Sequence, residues 1–342
     1  MNENKIWVKA PARLHFGFVD LNGGTGRRFG SLGLTIKGLD TQIQASRSTI
    51  VETSGADAER ARRYANRLLE RLGLEGGISI NIESAIPSHS GLGSGTQMAL
   101  AVGKAIEKLF QIELGSRDIA AMLGRGNRSG IGIGAFEQGG FLVDGGRRSG
   151  GPLPSILFRT EFPDHWRVLL IFDAKSTGLH GDDERLAFQT LPTFPDEAAG
   201  ALCRLLVMKV LPGLVEQQLD EFGESISEIQ RVVGDYFSPA QGARYSSPAV
   251  AKALGWLGNQ GIKAVGQSSW GPTGFAIIDG ETQAVTLMRQ LKAAFPDLPL
   301  QYQVVAGQNY GAEVSTDVET RHSTLQWPEI EADALAASLK HK

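Results

Sequence analysis

The chain has 342 residues, 42% of them hydrophobic and 21% charged, with 43 Gly, 14 Pro and one Cys. This composition buries a large core, excludes a disordered or collagen-like chain, and at this length predicts two domains. The 34 Lys and Arg against 37 Asp and Glu leave a net charge of −3, which excludes a polybasic nucleic-acid-binding domain while leaving room for a local cationic pocket. Cys203 is the single cysteine, so no intramolecular disulfide or cysteine-built metal centre forms within the chain. The start has no long apolar signal core and no uninterrupted apolar run approaches ~20 residues, so the expected place is the cytoplasm, away from membranes.

Short strands are expected at 6–8, 14–19 and 31–36, broken by Pro11 and by the glycines of 23–30. Ala61, Tyr64, Ala65, Leu68, Leu69 and Leu72 recur at helical spacing up to Gly73, and Ile78, Ile80 and Ile82 alternate as one face of a strand. Beyond a Gly/Ser loop at 87–96, Met98, Val102, Ala105, Ile106 and Leu109 form the stripe of a helix of about four turns starting near Gly95 or Thr96. A short helix capped by Ser116, a glycine-rich crossing at 126–140 and a strand at 141–143 follow, then an interdomain passage at 149–166. The second half reads as a buried strand at 168–172 and two or three helices within 196–237, interrupted at Pro212 and Gly223. Helices at 248–257 and 282–294 then alternate with strands at 262–266, 274–278 and 301–305. Domains are expected at 1–160 and 161–335.

The segment Ile86 to Thr96 lies between a strand and a helix. Its small residues permit a tight turn, and free N–H groups at Gly91, Gly93 and Gly95, with the positive end of the helix, can receive phosphate oxygens. Ser90, Ser94 and Thr96 add hydroxyls. The loop lacks the Lys-Ser/Thr ending of a Walker loop and the spacing of a dinucleotide fingerprint, so a plain tight turn is the competing reading.

Residues 87–99 resemble the central ATP-binding motif of the GHMP superfamily, supported by 9–17 and by 269–276, which is similar to its third motif. The resemblance implies an α+β, two-domain GHMP-type fold: a ribosomal S5 domain 2-like N-terminal unit, a ferredoxin-like C-terminal unit, and ligands in the cleft between them. Two departures matter. Gly95 stands where GHMP kinases commonly carry the second serine of Gly-Leu-Gly-Ser-Ser, and Gly132 stands where the mevalonate type carries its catalytic aspartate. A glycine neither orients a hydroxyl nor accepts its proton.

The whole-chain pattern at 11–17, 27–33, 91–97, 124–132 and 266–273 resembles the β-ribofuranosylaminobenzene 5'-phosphate synthase family, a non-kinase branch. That resemblance implies condensation of phosphoribosyl pyrophosphate with 4-aminobenzoate or 4-hydroxybenzoate, with loss of pyrophosphate and carbon dioxide. The product is a C-riboside of tetrahydromethanopterin biosynthesis, and magnesium (Mg2+) is the expected metal. The alternatives are a GHMP small-molecule kinase using ATP, with its catalytic acid from elsewhere, and a non-enzymatic nucleotide- or phosphate-binding regulator.

For that chemistry the anion contacts are Arg13, His15, Arg27, Arg28, Arg125 and Arg128, all in glycine-interrupted or motif-like stretches; the bland reading of each arginine is a solvated face. Arg128, beside Ser129 in the altered catalytic loop, is the first catalytic candidate. Asp20 and Glu137 are the catalytic and magnesium-binding candidates, against a reading as surface or structural acids. His89 lies within the glycine loop, and Trp270 with Pro272 is expected to wall an aromatic pocket, with Thr273 beside it. The segment 173–184 is either a source of acid, base or lid groups or an interdomain loop. Cys203 reads as a packed thiol, and the apolar run 199–215 as core or as the interface of a homodimer.

Overall fold

The structure, a computed structural model, describes residues 5–176, 178 and 181–316. Residues 317–335 of the expected second domain, and Thr177, Leu179 and His180 of the 173–184 segment, lie outside the described residues, as do the side chains of 182–185.

One sheet holds β1 (Ile6–Asp20), β2 (Phe29–Ser48), β3 (Glu52–Gly55), β4 (Gly77–Ser84), β5 (Phe141–Asp144), β6 (Ile156–Thr160) and the last described strand, β11 (Glu313–Thr316). The order is β11-β1-β2-β4-β3, and β2 is long enough to pair β5 at 31–34 and β4 at 42–48, with β6 beyond β5. The two expected strands at 6–8 and 14–19 are one strand, β1. It runs through Pro11 because register shifts between Pro11 and Arg13, and between His15 and Gly17, accommodate the ladder.

Helices α1 (Ala58–Leu72), α2 (Ser94–Phe110), α3 (Ser116–Met122) and α4 (Ile131–Glu137) pack on this sheet. Ser116 is the first residue of α3 rather than its cap, which is Gly115. The short helix α4 replaces part of the expected glycine crossing. Its Ile131, Ile133, Ala135 and Phe136 are buried, and a Cβ on Gly134 would stand 2.8 Å from Ile156, so close packing prevails over the poor helix propensity of glycine.

The second sheet is antiparallel, in the order β10-β7-β9-β8, from β7 (Trp166–Asp173), β8 (Ala264–Gln267), β9 (Gly274–Asp279) and β10 (Leu300–Ala306). Helices α9 (Pro248–Asn259) and α10 (Glu281–Ala294) bury Val250, Leu254, Leu257, Leu287 and Leu291 against Leu169, Ile171 and Ile278. Between β7 and α9 the chain forms α5 (Gly181–Thr190), α6 (Asp196–Leu205), a π-helical turn (Leu206–Val210), α7 (Leu211–Val215) and α8 (Leu219–Gln241). Gly223 does not interrupt α8. It lets the helix lie on Ala264, whose nitrogen would be 2.9 Å from a Cβ there.

Two further expectations change. The passage at 149–166 contains β6, so the crossing from one sheet to the other shortens to 161–165. Cys203 is exposed, because the buried face of its helix is carried by Ala199 and Leu202. The run Asp196–Val215 is long and apolar enough to cross a bilayer, but Leu202, Leu206, Val210 and Leu214 sit in the core while Val207, Met208 and Val215 are exposed.

One hydrophobic cluster joins the two sheets. Phe222 of α8 is fully buried with its ring centroid 5.8 Å from Phe141 of β5 and 5.5 Å from Trp166 of β7. Phe222→Ala should lower stability by about 3–5 kcal/mol. Because the ring touches both sheets, calorimetry and circular dichroism should record a single transition at lower temperature; loss of one sheet alone would contradict a shared core.

Candidate active site

The glycine loop is held from two sides. Arg13 of β1 donates through its backbone N–H to Leu92 O at 3.1 Å and through its guanidinium to Gly91 O. From the second sheet, Ser268 Oγ donates to Gly91 O at 2.8 Å and accepts from the His15 N–H at 3.0 Å. Gly91 has φ +79°, and a Cβ there would lie 2.1 Å from Ser268 O, so both backbone and space require glycine.

Three guanidinium groups gather at this loop. The Arg13 side chain passes 3.3 Å from where a Cβ on Gly93 would stand. Arg125 occupies the space over Gly95, 3.1 Å from the corresponding point, and donates to Tyr64 Oη; its buried Nε meets no partner among the described residues. Arg60, which sequence reasoning missed, donates to Ser94 Oγ at 3.3 Å and pairs with Asp57 at 3.2 Å. Its signal was only its place on the exposed side of the α1 stripe, which does not distinguish it from the other arginines there. Thr96 faces Gly132, where a Cβ would stand 3.0 Å from Thr96 Cγ2. Gly132 has helical backbone in α4, so its requirement is room rather than an unusual φ.

A second element missed from sequence is Asp144, buried at the end of β5. Ser31 and Ser129 hydroxyls, 2.7 Å apart, both donate to it, as do the N–H groups of Gly130 at 2.9 Å and Gly146 at 2.8 Å. Burial pushes its carboxyl above the ordinary range, against these hydrogen bonds, which favour the charged form. The carboxyl thereby ties the 129–131 loop to the 145–147 loop, where Arg27 donates to Gly145 O and Gly146 O at 2.9 and 3.0 Å. Arg28 donates to Leu21 O, and Arg128 lies over the Phe188 ring at 4.5 Å.

The other expected residues separate. Ser90 turns inward to Pro87 O, and His89 is exposed, its carbonyl accepting from Gly178 N–H. Thr273 is fully buried, and Trp270 is buried against Phe188 and Phe237. Asp20 Oδ1 accepts from the N–H groups of Asn22 and Gly23, leaving Oδ2 outside that turn. Glu137 closes α4 at the end away from Gly130; its side chain is exposed and its backbone sits against Gly311. No hydrogen bond or ion pair joins it to Asp20 or the glycine loop among the described residues, and no group of three His, Cys, Asp or Glu side chains converges there. A metal cage of protein carboxylates is therefore not built by the described residues. A magnesium ion carried mainly by phosphate oxygens needs only one or two carboxylates; Asp20 keeps Oδ2 outside its turn, and no described contact joins Asp20 or Glu137 to the glycine loop.

The GHMP kinases N terminal domain family matches residues 59–140, and the GHMP kinases C terminal family matches 210–297. The beta-ribofuranosylphenol 5'-phosphate synthase of Archaeoglobus fulgidus is 34% identical over 90% of this chain and 98% of its own length. That of Methanocaldococcus jannaschii is 37% identical over 65% of this chain and 76% of its own. Among solved structures, a homoserine kinase from Cytophaga hutchinsonii superposes with a TM-score of 0.66 at 19% identity, covering 92% of this chain and 98% of the kinase; this likeness shows the fold.

His15 is 3% exposed, and burial together with Arg13 pushes its imidazole down to about 3. The unfolded chain takes up a proton near pH 6.5 and the folded chain does not. The neutral ring therefore contributes stability that is present above pH 6.5 and lost as pH falls toward 3, up to about 5 kcal/mol. In urea unfolding between pH 7 and pH 4, His15→Phe should lose less stability than the wild type; equal losses would contradict a neutral buried imidazole.

Proposed function

The chain belongs to the beta-ribofuranosylphenol 5'-phosphate synthase family within the GHMP superfamily, and we propose that it condenses phosphoribosyl pyrophosphate with a para-substituted benzoate, releasing pyrophosphate and carbon dioxide. The observation that supports this reading is glycine at two positions where kinases of this superfamily carry working side chains, with the Arg125 guanidinium over Gly95. Gly132 removes the catalytic carboxylate, and Gly95 makes way for Arg125. The word phenol in the relatives' name favours 4-hydroxybenzoate over 4-aminobenzoate as the acceptor.

In this reading the diphosphate of the donor lies on the glycine loop, at the N-terminus of α2. Arg13, Arg60 and Arg125 hold its oxygens and stabilise the charge that grows on pyrophosphate as it leaves. The buried Nε of Arg125 has no hydrogen-bond partner among the described residues. The aromatic carbon bearing the carboxylate attacks the anomeric carbon, and Arg128, stacked on Phe188 beside the Ser129–Asp144 hydrogen bond, is the cation proposed to orient the two reactants. Magnesium bound by the diphosphate and Asp20 would supply further charge neutralisation to the leaving group.

The direct test supplies purified protein with magnesium, phosphoribosyl pyrophosphate and each benzoate, and follows carbon dioxide and pyrophosphate. Equal release of both is expected; ATP-dependent phosphorylation of an alcohol, or binding without turnover, would contradict the proposal. Arg125→Ala should raise the KM for phosphoribosyl pyrophosphate 10–100-fold, about 1.4–2.8 kcal/mol, with the KM for the benzoate within twofold. Gly132→Asp should lower the synthase rate, since it crowds Thr96 and places a negative charge by the loop.

We propose a homodimer whose interface includes the exposed Val207, Met208 and Val215. Sedimentation should find a dimer that Met208→Glu converts to monomer, and a monomeric wild type at micromolar concentration would reject it.

A further inference from the structure

Behind the glycine loop a cavity opens between β1, α8 and the turn after β8, walled among others by His15, Phe18, Gln230, Phe237, Gln267 and Trp270. The concavity measures about 400 Å³ counted out to solvent. It shares a wall with the loop, because Ser268 Oγ is bonded to both His15 N–H and Gly91 O.

His15 is the group without an explanation. Its backbone is fixed at both ends, N–H to Ser268 Oγ and C=O from Ser269 N–H, and its ring meets Phe18 edge-on at 4.8 Å. Yet both ring nitrogens are buried with no hydrogen-bond partner among the described residues. Buried polar atoms are nearly always paired, so two unpaired nitrogens on one ring, in a residue that lines a cavity, mark a place for a ligand.

We infer that the narrow part of this cavity takes the para substituent of the benzoate, with His15 accepting a hydrogen bond from its hydroxyl or amino group and the ring lying toward the mouth against Phe18, Phe237 and Trp270. The inference rests on the proposed reaction. A neutral imidazole carries one lone-pair nitrogen and no charge to hold a carboxylate. Arg244 also lines the cavity, but Asp235 occupies its guanidinium at 2.7 and 3.0 Å, so the para end and not the carboxylate end is matched here.

The chemistry needs this contact at this atom. As the bond from the benzoate carbon C1 to the anomeric carbon forms and the bond to pyrophosphate breaks, positive charge appears at the ring carbon para to C1 and on its substituent. His15 draws on the substituent's proton and so supports that charge. The C1–carboxylate bond then breaks, its electron pair returns to the ring, carbon dioxide leaves, and the substituent keeps its proton.

The test compares 4-hydroxybenzoate with unsubstituted benzoate by titration calorimetry, and turnover of 4-hydroxybenzoate with phosphoribosyl pyrophosphate, in wild type and His15→Phe. The wild type should bind 4-hydroxybenzoate at least tenfold more tightly than benzoate. The variant should lose that preference and at least tenfold in kcat, with the KM for phosphoribosyl pyrophosphate within twofold. A variant that keeps both the preference and the rate overturns the inference while leaving the reaction standing, whereas a wild type without turnover of any benzoate removes the reaction itself. Should the variant not fold, nitrogen-15 histidine NMR of the wild type decides: the imidazole that stays neutral at pH 5 should shift with 4-hydroxybenzoate and not with benzoate, and an unmoved signal overturns the inference.

Discussion

The hydroxyl of Ser268, fully buried in the turn between β8 and β9, donates to Gly91 O and accepts from His15 N–H. Three segments distant in sequence meet at that one oxygen: the first strand, the glycine loop and the second sheet. An alanine there would leave a buried N–H and C=O with one partner fewer, a change worth about 1–3 kcal/mol and felt at the loop rather than in the core. The loop is therefore pre-organised by the second sheet, and its N–H groups reach a ligand without first ordering the backbone.

Around this fixed loop, the chemistry is set by which side chains have been removed. Gly93 and Gly95 open the surface to Arg13 and Arg125, and Gly132 lets α4 approach Thr96. A GHMP fold whose magnesium serine and catalytic aspartate have become glycine loses the groups that steer a hydroxyl toward a phosphoryl group. At Gly95 the space is taken by the Arg125 guanidinium, in the proposed reading a partner for a departing diphosphate rather than a proton acceptor, and at Gly132 by Thr96.

Much of this was legible from local pattern. The α2 stripe and the alternation of β4 located the loop between strand and helix, and its glycines marked a tight turn that the positive φ of Gly91 and Gly93 bears out. What stayed hidden depends on partners far along the chain. Asp144 looks like the end of a short strand, and only the fold brings Ser31, 113 residues away, to its carboxyl. Arg60 reads as one more charge on an amphipathic helix until Ser94 is placed beside it. Helix α4 was read as loop because Gly132 and Gly134 signal breakage locally, whereas the packing against Thr96 and Ile156 that makes them useful is tertiary. His15 was legible as part of a motif, but the lack of a partner for its ring is a property of the folded interior alone.

What the glycine loop holds decides which chemistry this fold performs. Calorimetric titration of the protein with magnesium pyrophosphate and with magnesium ATP, repeated on Arg125→Ala, addresses that loop without requiring turnover. Pyrophosphate should compete with phosphoribosyl pyrophosphate, bind at least tenfold more tightly than ATP and lose at least tenfold in the variant. Preference for ATP, with affinities unchanged by the loss of Arg125, would contradict it.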